Sequence, residues 1–217
     1  MGIPAITPYS MPVAAELPEN QVSWRADPDR AVLLVHDMQR YFVEFFPAGA
    51  SPRTDLLANV ARLRDWARHR GVPVVYSAQP GGMTPAQRGL LRDFWGPGMT
   101  TDPRSREIVP ELRPAAGEAV ITKWRYSAFA RTELESLVRG RGRDQLIICG
   151  VYAHVGCLMT ACDAFTADIQ PFLVADAVAD FTADDHRLAL AYAARRCAMT
   201  VTTDQVLAVR GAATAAR

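Results

Sequence analysis

The sequence predicts an α/β fold: a six-stranded parallel sheet flanked by helices on both faces, in a three-layer, Rossmann-like sandwich. Short apolar runs, such as residues 31–35 and 146–149, alternate with stretches in which apolar residues recur at helical spacing. The chain has 217 residues and is 49% hydrophobic, which is enough for one full core. We therefore predict a single doubly wound domain.

Six predicted strands follow one another along the chain, with helices in the connections between them. Leu56, Val60 and Leu63 share one face of the first long helix, and Gly71 follows that helix as its expected end. We predict strands near residues 31–36, 72–76, 119–121, 146–149, 172–175 and 199–202, and helices near residues 55–70, 131–139, 156–167 and 183–197.

Two segments lie outside this alternation. Residues 1–30 contain five prolines and are predicted to form an irregular extension packed on the domain at residues 31–210, with a tail at 211–217. Residues 79–118 form a long insertion that we expect to contain one short helix. A connection of this length inside a compact domain is typical of a lid or binding loop.

Composition argues against several classes of partner. Basic and acidic side chains nearly balance, 24 against 23, so we expect neither nucleic acid nor a membrane surface as a partner. No stretch reaches the roughly 20 apolar residues of a membrane helix, and the first residues lack a secretory leader pattern. The four cysteines form no C-x-x-C pair. We therefore expect a cytoplasmic protein that uses no metal and no cofactor.

Three chemically distinct residues follow predicted strands. Asp37 comes after the first strand, Lys123 closely follows the third, and Gly156 lies in the turn after the fourth. Because the carboxyl ends of parallel strands meet at one edge of the sheet, these residues predict an active site there. An Asp–Lys ion pair with a purely structural role is the alternative, and the sequence leaves open whether burial or Lys123 decides the protonation of Asp37.

Five segments carry a family resemblance: residues 35–42 (VHDMQRYF), 94–98 (FWGPG), 123–129 (KWRYSAF), 150–157 (GVYAHVGC) and 174–177 (VADA). Through these motifs the chain, from about residue 2 to 207, resembles the isochorismatase family. The resemblance implies a six-stranded parallel sheet, a homodimer, no metal and an aspartate general acid, which is Asp37 here.

The resemblance also implies a reaction. Similar stand-alone enzymes of the family cleave the enolpyruvyl vinyl ether of 2-amino-2-deoxyisochorismate, giving trans-2,3-dihydro-3-hydroxyanthranilate and pyruvate. Protonated Asp37 would deliver its proton to the methylene carbon, while Lys123 would hold Asp37 and a substrate carboxylate. The alternative substrate is isochorismate, which would give 2,3-dihydro-2,3-dihydroxybenzoate and pyruvate. The sequence does not distinguish these two small molecules.

Six further residues are candidates for substrate binding. Arg88 and Gln79 are expected to recognise carboxylate groups, Arg88 because its planar guanidinium matches that shape. The aromatic candidates, expected to form walls around the substrate ring, are Phe42, Trp95, Tyr126 and Tyr152. Aromatic residues are more often part of a core, and Arg88 could equally be a solvated loop residue.

Gly156 separates two kinds of chemistry. In nicotinamidases, which resemble this family, a nucleophilic cysteine occupies the position of Gly156, whereas the cysteine of this chain is Cys157, one residue later. One position rotates a side chain by about 100° on a helix, away from the site. We expect Gly156 to leave room for substrate and to expose backbone donors. A Cys157-dependent amidase and a non-catalytic binding module remain the alternatives.

The remaining histidines and aspartates after the strands have structural interpretations. We expect His36 to be structural and His154 to hydrogen-bond the backbone. Asp176 and Asp180, after the fifth strand, are expected to cap and brace loops.

Overall fold

The computed structural model describes residues 2–209 and has one six-stranded sheet, in which all strands are parallel and follow the order β3-β2-β1-β4-β5-β6. The fold class predicted from the sequence is confirmed. The strands are β1 (Ala31–His36), β2 (Val74–Ala78), β3 (Ala119–Thr122), β4 (Gln145–Val151), β5 (Gln170–Ala179) and β6 (Met199–Val201). Since β1 and β4 are neighbours at the centre, the strand order reverses between them, and ligands bind at such a point.

Nine α-helices lie in the described part of the chain. They are α1 (Arg40–Val43), α2 (Arg53–Arg70), α3 (Pro85–Arg88), α4 (Leu91–Trp95), α5 (Pro103–Arg106), α6 (Leu134–Arg139), α7 (Leu158–Thr166), α8 (Ala183–Arg196) and α9 (Thr203–Leu207). Within residues 2–209, no helix combines the length and the hydropathy needed to span a bilayer.

Two apolar layers cover the two faces of the sheet. Leu33 and Val35 of β1 belong to one layer, and Val32 and Leu34 belong to the other. All four are completely buried. A strand buried on both faces needs apolar residues at every position, which is why β1 is a continuous apolar run rather than an alternating one.

The predicted boundaries differ from the observed ones by three residues or more in three elements. The strand predicted at 172–175 extends over Gln170–Ala179. The helix predicted at 131–139 begins only at Leu134, because Arg131 adopts a left-handed backbone with φ of 62° and the Thr132 hydroxyl accepts a hydrogen bond from the Leu134 amide. The helix predicted at 156–167 begins earlier, with a wide π-helical turn at Ala153–Cys157 that continues into α7.

The insertion between β2 and β3 contains three short helices, α3 to α5, rather than one. Thr84 and Gln87 form a capping box at the start of α3. From this insertion Arg88, Leu91 and Met99 reach a cavity at the carboxyl edge of the sheet.

The N-terminal extension packs along the domain. Ile6 is 4% exposed, and the Tyr9 hydroxyl accepts a hydrogen bond of 2.7 Å from the Asp180 amide. The Asn20 side chain donates to the Thr200 carbonyl of β6. The predicted tail at 211–217 lies outside the described residues, and the domain boundaries stay a prediction.

Candidate active site

Asp37 lies immediately after β1 with a left-handed backbone, φ 48°. This conformation costs an L-residue about 1–2 kcal/mol, so neighbouring contacts must hold it. Its amide donates to the Ser77 carbonyl at the end of β2. The strained turn places the carboxylate of Asp37 at the carboxyl edge of the sheet, next to β2.

Three side chains donate hydrogen bonds to the Asp37 carboxylate. Ser77 Oγ lies 2.6 Å from Oδ1, while Lys123 Nζ and Gln79 Nε2 lie 2.8 Å and 3.2 Å from Oδ2. Lys123 directly follows β3. The Lys123 amide donates to the Ala78 carbonyl, so the pairing between β3 and β2 continues to this residue. Lys123 is 2% exposed and Asp37 is 3% exposed, so this is a buried ion pair.

The pKa of Asp37 is set by two opposing effects. Burial raises the pKa of this carboxyl group, but Lys123, the neighbouring His36 and the Ser77 hydroxyl together outweigh burial and hold it below its ordinary value. The question that the sequence left open is thus decided in favour of Lys123. In the free site, Asp37 is a carboxylate.

One cavity brings together all nine residues predicted for the site. Asp37, Lys123 and Gly156 line it together with the six predicted substrate-binding residues, Phe42, Gln79, Arg88, Trp95, Tyr126 and Tyr152. The structure therefore places these residues in contact with one space, while their roles in a reaction stay predictions.

Aromatic side chains form much of the cavity wall, and hydrogen bonds fix three of them. The Tyr152 hydroxyl donates to the Phe42 carbonyl at 2.8 Å, and its ring packs 4.5 Å from that of Phe181. Trp95 Nε1 donates to the Tyr126 hydroxyl at 2.6 Å. Rigid aromatic walls of this kind suit a flat, partly apolar ring.

Arg88 places an unneutralised cation in the wall. It is 7% exposed, and its Nε donates to the Gly96 carbonyl at 3.1 Å. Within residues 2–209, no carboxylate lies within ion-pair distance of its guanidinium. Because a buried charge without a counter-ion is costly, Arg88 is suited to bind an anion that enters the cavity.

Gly156 differs from the expectation in two respects. An added Cβ at this position would lie 2.3 Å from His36 Cε1, so the imidazole fills the space that we expected for substrate. The Gly156 amide donates to the Tyr152 carbonyl at 3.0 Å within the π-helical turn, so it is not a free donor for an anion. The expectation of a free backbone donor at Gly156 was wrong, because the helix begins three residues earlier than predicted.

His36 lies under the cavity floor as a neutral ring. It is completely buried, its Nδ1–H donates to the Val151 carbonyl at 2.8 Å, and it also lines the cavity. Burial lowers the pKa of His36 to about 4, with Asp37 opposing and Lys123 reinforcing this effect.

This lowered pKa predicts an acid-sensitive fold. Below about pH 6.5 the unfolded chain binds a proton at His36 that the folded ring takes up only near pH 4. The free energy of unfolding should therefore fall by about 3 kcal/mol between these values from this ring alone. Urea denaturation across that range should show a shallower decline for His36→Gln than for the parent. His69→Gln, a change at an exposed histidine, is the matched control; parallel curves for the His36 variant and the parent would contradict the prediction.

The loops after β4 and β5 are joined through His154. Its ring Nδ1 donates to Asp180 Oδ1 at 2.8 Å, so the expectation of a ring bond to the backbone was wrong; this bond raises the pKa of His154. Asp180 also accepts from the His154 and Phe181 amides, and Asp176 accepts from the Thr203 amide. These two aspartates cap and brace loops, as predicted.

Several residues in or beside the cavity were not predicted from the sequence. Ser77 donates a hydrogen bond to Asp37 from the end of β2, a position that strand-end reasoning could have identified. Ile3, Met99 and Phe181 line the cavity. They come from the extension, the insertion and the loop after β5, whose paths depend on tertiary packing.

Comparisons with known proteins identify relatives of this chain. The family model of the isochorismatase domain matches residues 31–205. Over 206 residues the chain is 59% identical to phenazine biosynthesis protein PhzD1 of Pseudomonas aeruginosa, covering 95% of this chain and 99% of that protein. It is 58% identical to the isochorismatase of Bacillus subtilis, with 95% of this chain covered but only 66% of the length of that relative.

A solved structure has the same architecture. The cysteine hydrolase of Pseudomonas syringae pv. phaseolicola superimposes with a TM-score of 0.78 at 25% identity, covering 88% of this chain and 96% of that one. The family match and the two sequence relatives are much closer than this fold-level likeness, so the amidase alternative is not favoured. The chain belongs to the isochorismatase family of hydrolases.

Proposed function

We propose that this enzyme hydrolyses the enolpyruvyl vinyl ether of 2-amino-2-deoxyisochorismate to trans-2,3-dihydro-3-hydroxyanthranilate and pyruvate. The observation that carries the proposal is the buried Asp37–Lys123 pair in an aromatic cavity, where Arg88 has no carboxylate partner among residues 2–209. The substrate has a ring for the aromatic walls and carboxylates for the cations.

The chemistry follows from the properties of a vinyl ether. Protonation of the methylene carbon by the Asp37 carboxyl group generates an oxocarbenium ion. Water then adds to the cationic carbon, and its proton returns to the Asp37 carboxylate. Collapse of the hemiketal breaks the bond between its carbon and the ether oxygen attached to the ring. The hemiketal hydroxyl gives up its proton as pyruvate forms, and the ether oxygen takes up a proton and leaves as the ring alcohol.

Asp37 needs a proton that it does not hold in the free site. A substrate carboxylate beside Lys123 would partly neutralise the positive charge that stabilises the Asp37 carboxylate. The negative charge of the substrate would also raise the pKa of Asp37. Lys123 Nζ has one hydrogen-bond partner in the described chain, Asp37, which leaves N–H groups for such a carboxylate. In this proposal Asp37 therefore takes up a proton from solvent as the substrate binds.

The choice of the amino substrate rests on the likeness to the phenazine biosynthesis protein, which is matched over 99% of its length. The isochorismatase of Bacillus subtilis is nearly as similar. Initial rates on the two substrates, measured by coupling pyruvate to lactate dehydrogenase, should favour 2-amino-2-deoxyisochorismate. Faster turnover of isochorismate would reverse the assignment without affecting the mechanism.

A cytoplasmic location and a homodimer belong to the same proposal and rest on the family resemblance. Sedimentation at several protein concentrations tests the oligomeric state.

In heavy water, each pyruvate formed is expected to carry one deuterium in its methyl group. The reason is that the carbon acquires its third hydrogen from Asp37, which exchanges with solvent. Mass spectrometry of samples quenched early measures this label. Pyruvate incubated with the enzyme alone controls for later exchange, and product without deuterium would contradict carbon protonation.

Changing Cys157 to alanine is expected to leave the rate of pyruvate release within about twofold of the parent. The thiol is completely buried, and burial raises its pKa well above the ordinary value, so it is a poor nucleophile. Steady-state rates before and after iodoacetamide treatment test the same point. A variant that keeps its melting temperature but loses turnover would favour thiol chemistry.

A further inference from the structure

His36 and position 156 compete for one volume. The three atoms nearest to a Cβ built on Gly156 all belong to the His36 ring: Cε1 at 2.3 Å, Nε2 at 2.9 Å and Nδ1 at 3.2 Å. Carbon atoms that are not bonded to each other pack at about 3.5–4.0 Å. Any side chain at 156 therefore requires the imidazole to leave.

The imidazole is held from two sides. Its Nδ1–H donates to the Val151 carbonyl at the end of β4, and no part of the residue is exposed. The His36 backbone packs closely against Gly150, because a Cβ on Gly150 would lie 2.1 Å from the His36 carbonyl oxygen. Gly150 has φ of 117°, a conformation that a glycine tolerates. His36 therefore cannot yield to a larger residue at 156 by a small rotation.

The ring also lies beside the reactive pair. His36 Nδ1 is 3.9 Å from Asp37 Oδ1, and His36, Asp37, Lys123 and Gly156 all line the same cavity. Since the buried ring is neutral, it fills this volume without adding a second cation next to Asp37.

We propose that His36 is a specificity-determining residue: its imidazole occupies the place of a side chain at 156 and so closes the Asp37–Lys123 site to an attacking thiol. Reaction class is then determined by two positions together rather than by Gly156 alone. A thiol at 156 becomes compatible with this fold only when residue 36 is small. The inference rests on the proposed function only for its activity readout, because stability and thiol reactivity test it without a substrate.

A double-mutant cycle tests the shared volume. Gly156→Ala in the parent is expected to lower the melting temperature by about 5 °C or more and pyruvate release by about 100-fold. In a His36→Ala background the same change should cost at most about 2 °C, because the space is then free. Cys157→Ala, a change at the adjacent position, is the matched control, and its effect should be equal in both backgrounds.

Either of two results would overturn the proposal. One is a Gly156→Ala variant as stable and active as the parent, and the other is a loss of melting temperature on Gly156→Ala that is equal in both backgrounds. If the Gly156→Ala protein is recovered only unfolded, recovery of folded protein in the double variant replaces the temperature comparison. Failure of the double variant to fold while His36→Ala alone folds would then count against the proposal.

Thiol reactivity gives a readout that a purely structural role would not change. In His36→Ala/Gly156→Cys the introduced thiol should be alkylated by iodoacetamide at least about tenfold faster than Cys157, as located by peptide mass mapping. With His36 in place, Gly156→Cys should give a destabilised protein and no folded species with a reactive thiol at that position. Equal reactivity in both backgrounds would show that the ring does not exclude a thiol.

Discussion

Asparagine in place of Asp37 is expected to lower kcat for pyruvate release by roughly 10²- to 10⁴-fold, the range that a general acid contributes. The amide is nearly the same size as the carboxyl group and can still accept from Ser77, but it has no proton to give to carbon. Substrate binding should persist, because the aromatic walls and Arg88 are unchanged. The lactate dehydrogenase assay gives kcat, and calorimetric titration gives the affinity.

Asp204→Asn is the control for this variant. Asp204 is an exposed aspartate that pairs with Arg62 on the surface, and its change should leave kcat unaltered. Asp37→Ala should lose pyruvate formation as well. Near-parental turnover by either Asp37 variant would disprove the proposed acid and would favour a purely structural role for the Asp37–Lys123 ion pair.

Replacing Lys123 by methionine is expected to destabilise the fold by about 3–5 kcal/mol, the usual cost of leaving one partner of a buried ion pair uncompensated. Without the cation, the largest effect that opposes burial is gone, and the pKa of Asp37 rises. The loss of stability should therefore grow as the pH rises and shrink in acid, where Asp37 becomes protonated. Urea denaturation at several pH values measures this trend.

The pH dependence of activity in Lys123→Met should follow from the raised pKa of Asp37. The pH profile of kcat/KM reports the ionisation of the free enzyme, so its fall with rising pH should move to higher pH in Lys123→Met. The double variant Asp37→Asn/Lys123→Met removes both charges and should be more stable than Lys123→Met alone. Additive losses in the double variant would show that the two residues are not energetically coupled.

The strands could be predicted because their chemistry is local. A strand buried on both faces must be continuously apolar, and residues 31–35 satisfy that rule without reference to any other part of the chain. Asp37 and Lys123 could be placed together for a similar reason, since strand ends in a parallel sheet share one edge. For Gly156 and the aromatic residues, the family resemblance added what spacing alone does not provide.

What could not be predicted depends on contacts between distant segments. Nothing local shows that the ring of His36 lies against Gly156, since 120 residues separate them. The early start of the helix at Ala153 is stabilised by Asp180, which accepts from the His154 amide across the end of the sheet. The pKa of Asp37 likewise needed distances, because burial and Lys123 act in opposite directions.

The division of the cavity between sheet and insertion has an evolutionary consequence. Asp37 and its donors Ser77 and Lys123 lie at the ends of three adjacent strands, β1, β2 and β3, whereas Arg88, Trp95 and Met99 belong to the insertion between β2 and β3. Relatives could carry a different insertion, and a protein engineer could graft a new one. Substrates with different ring substituents would then bind, while the proton donor stays the same. This division between strand ends and insertion favours a family in which different substrates undergo the same reaction.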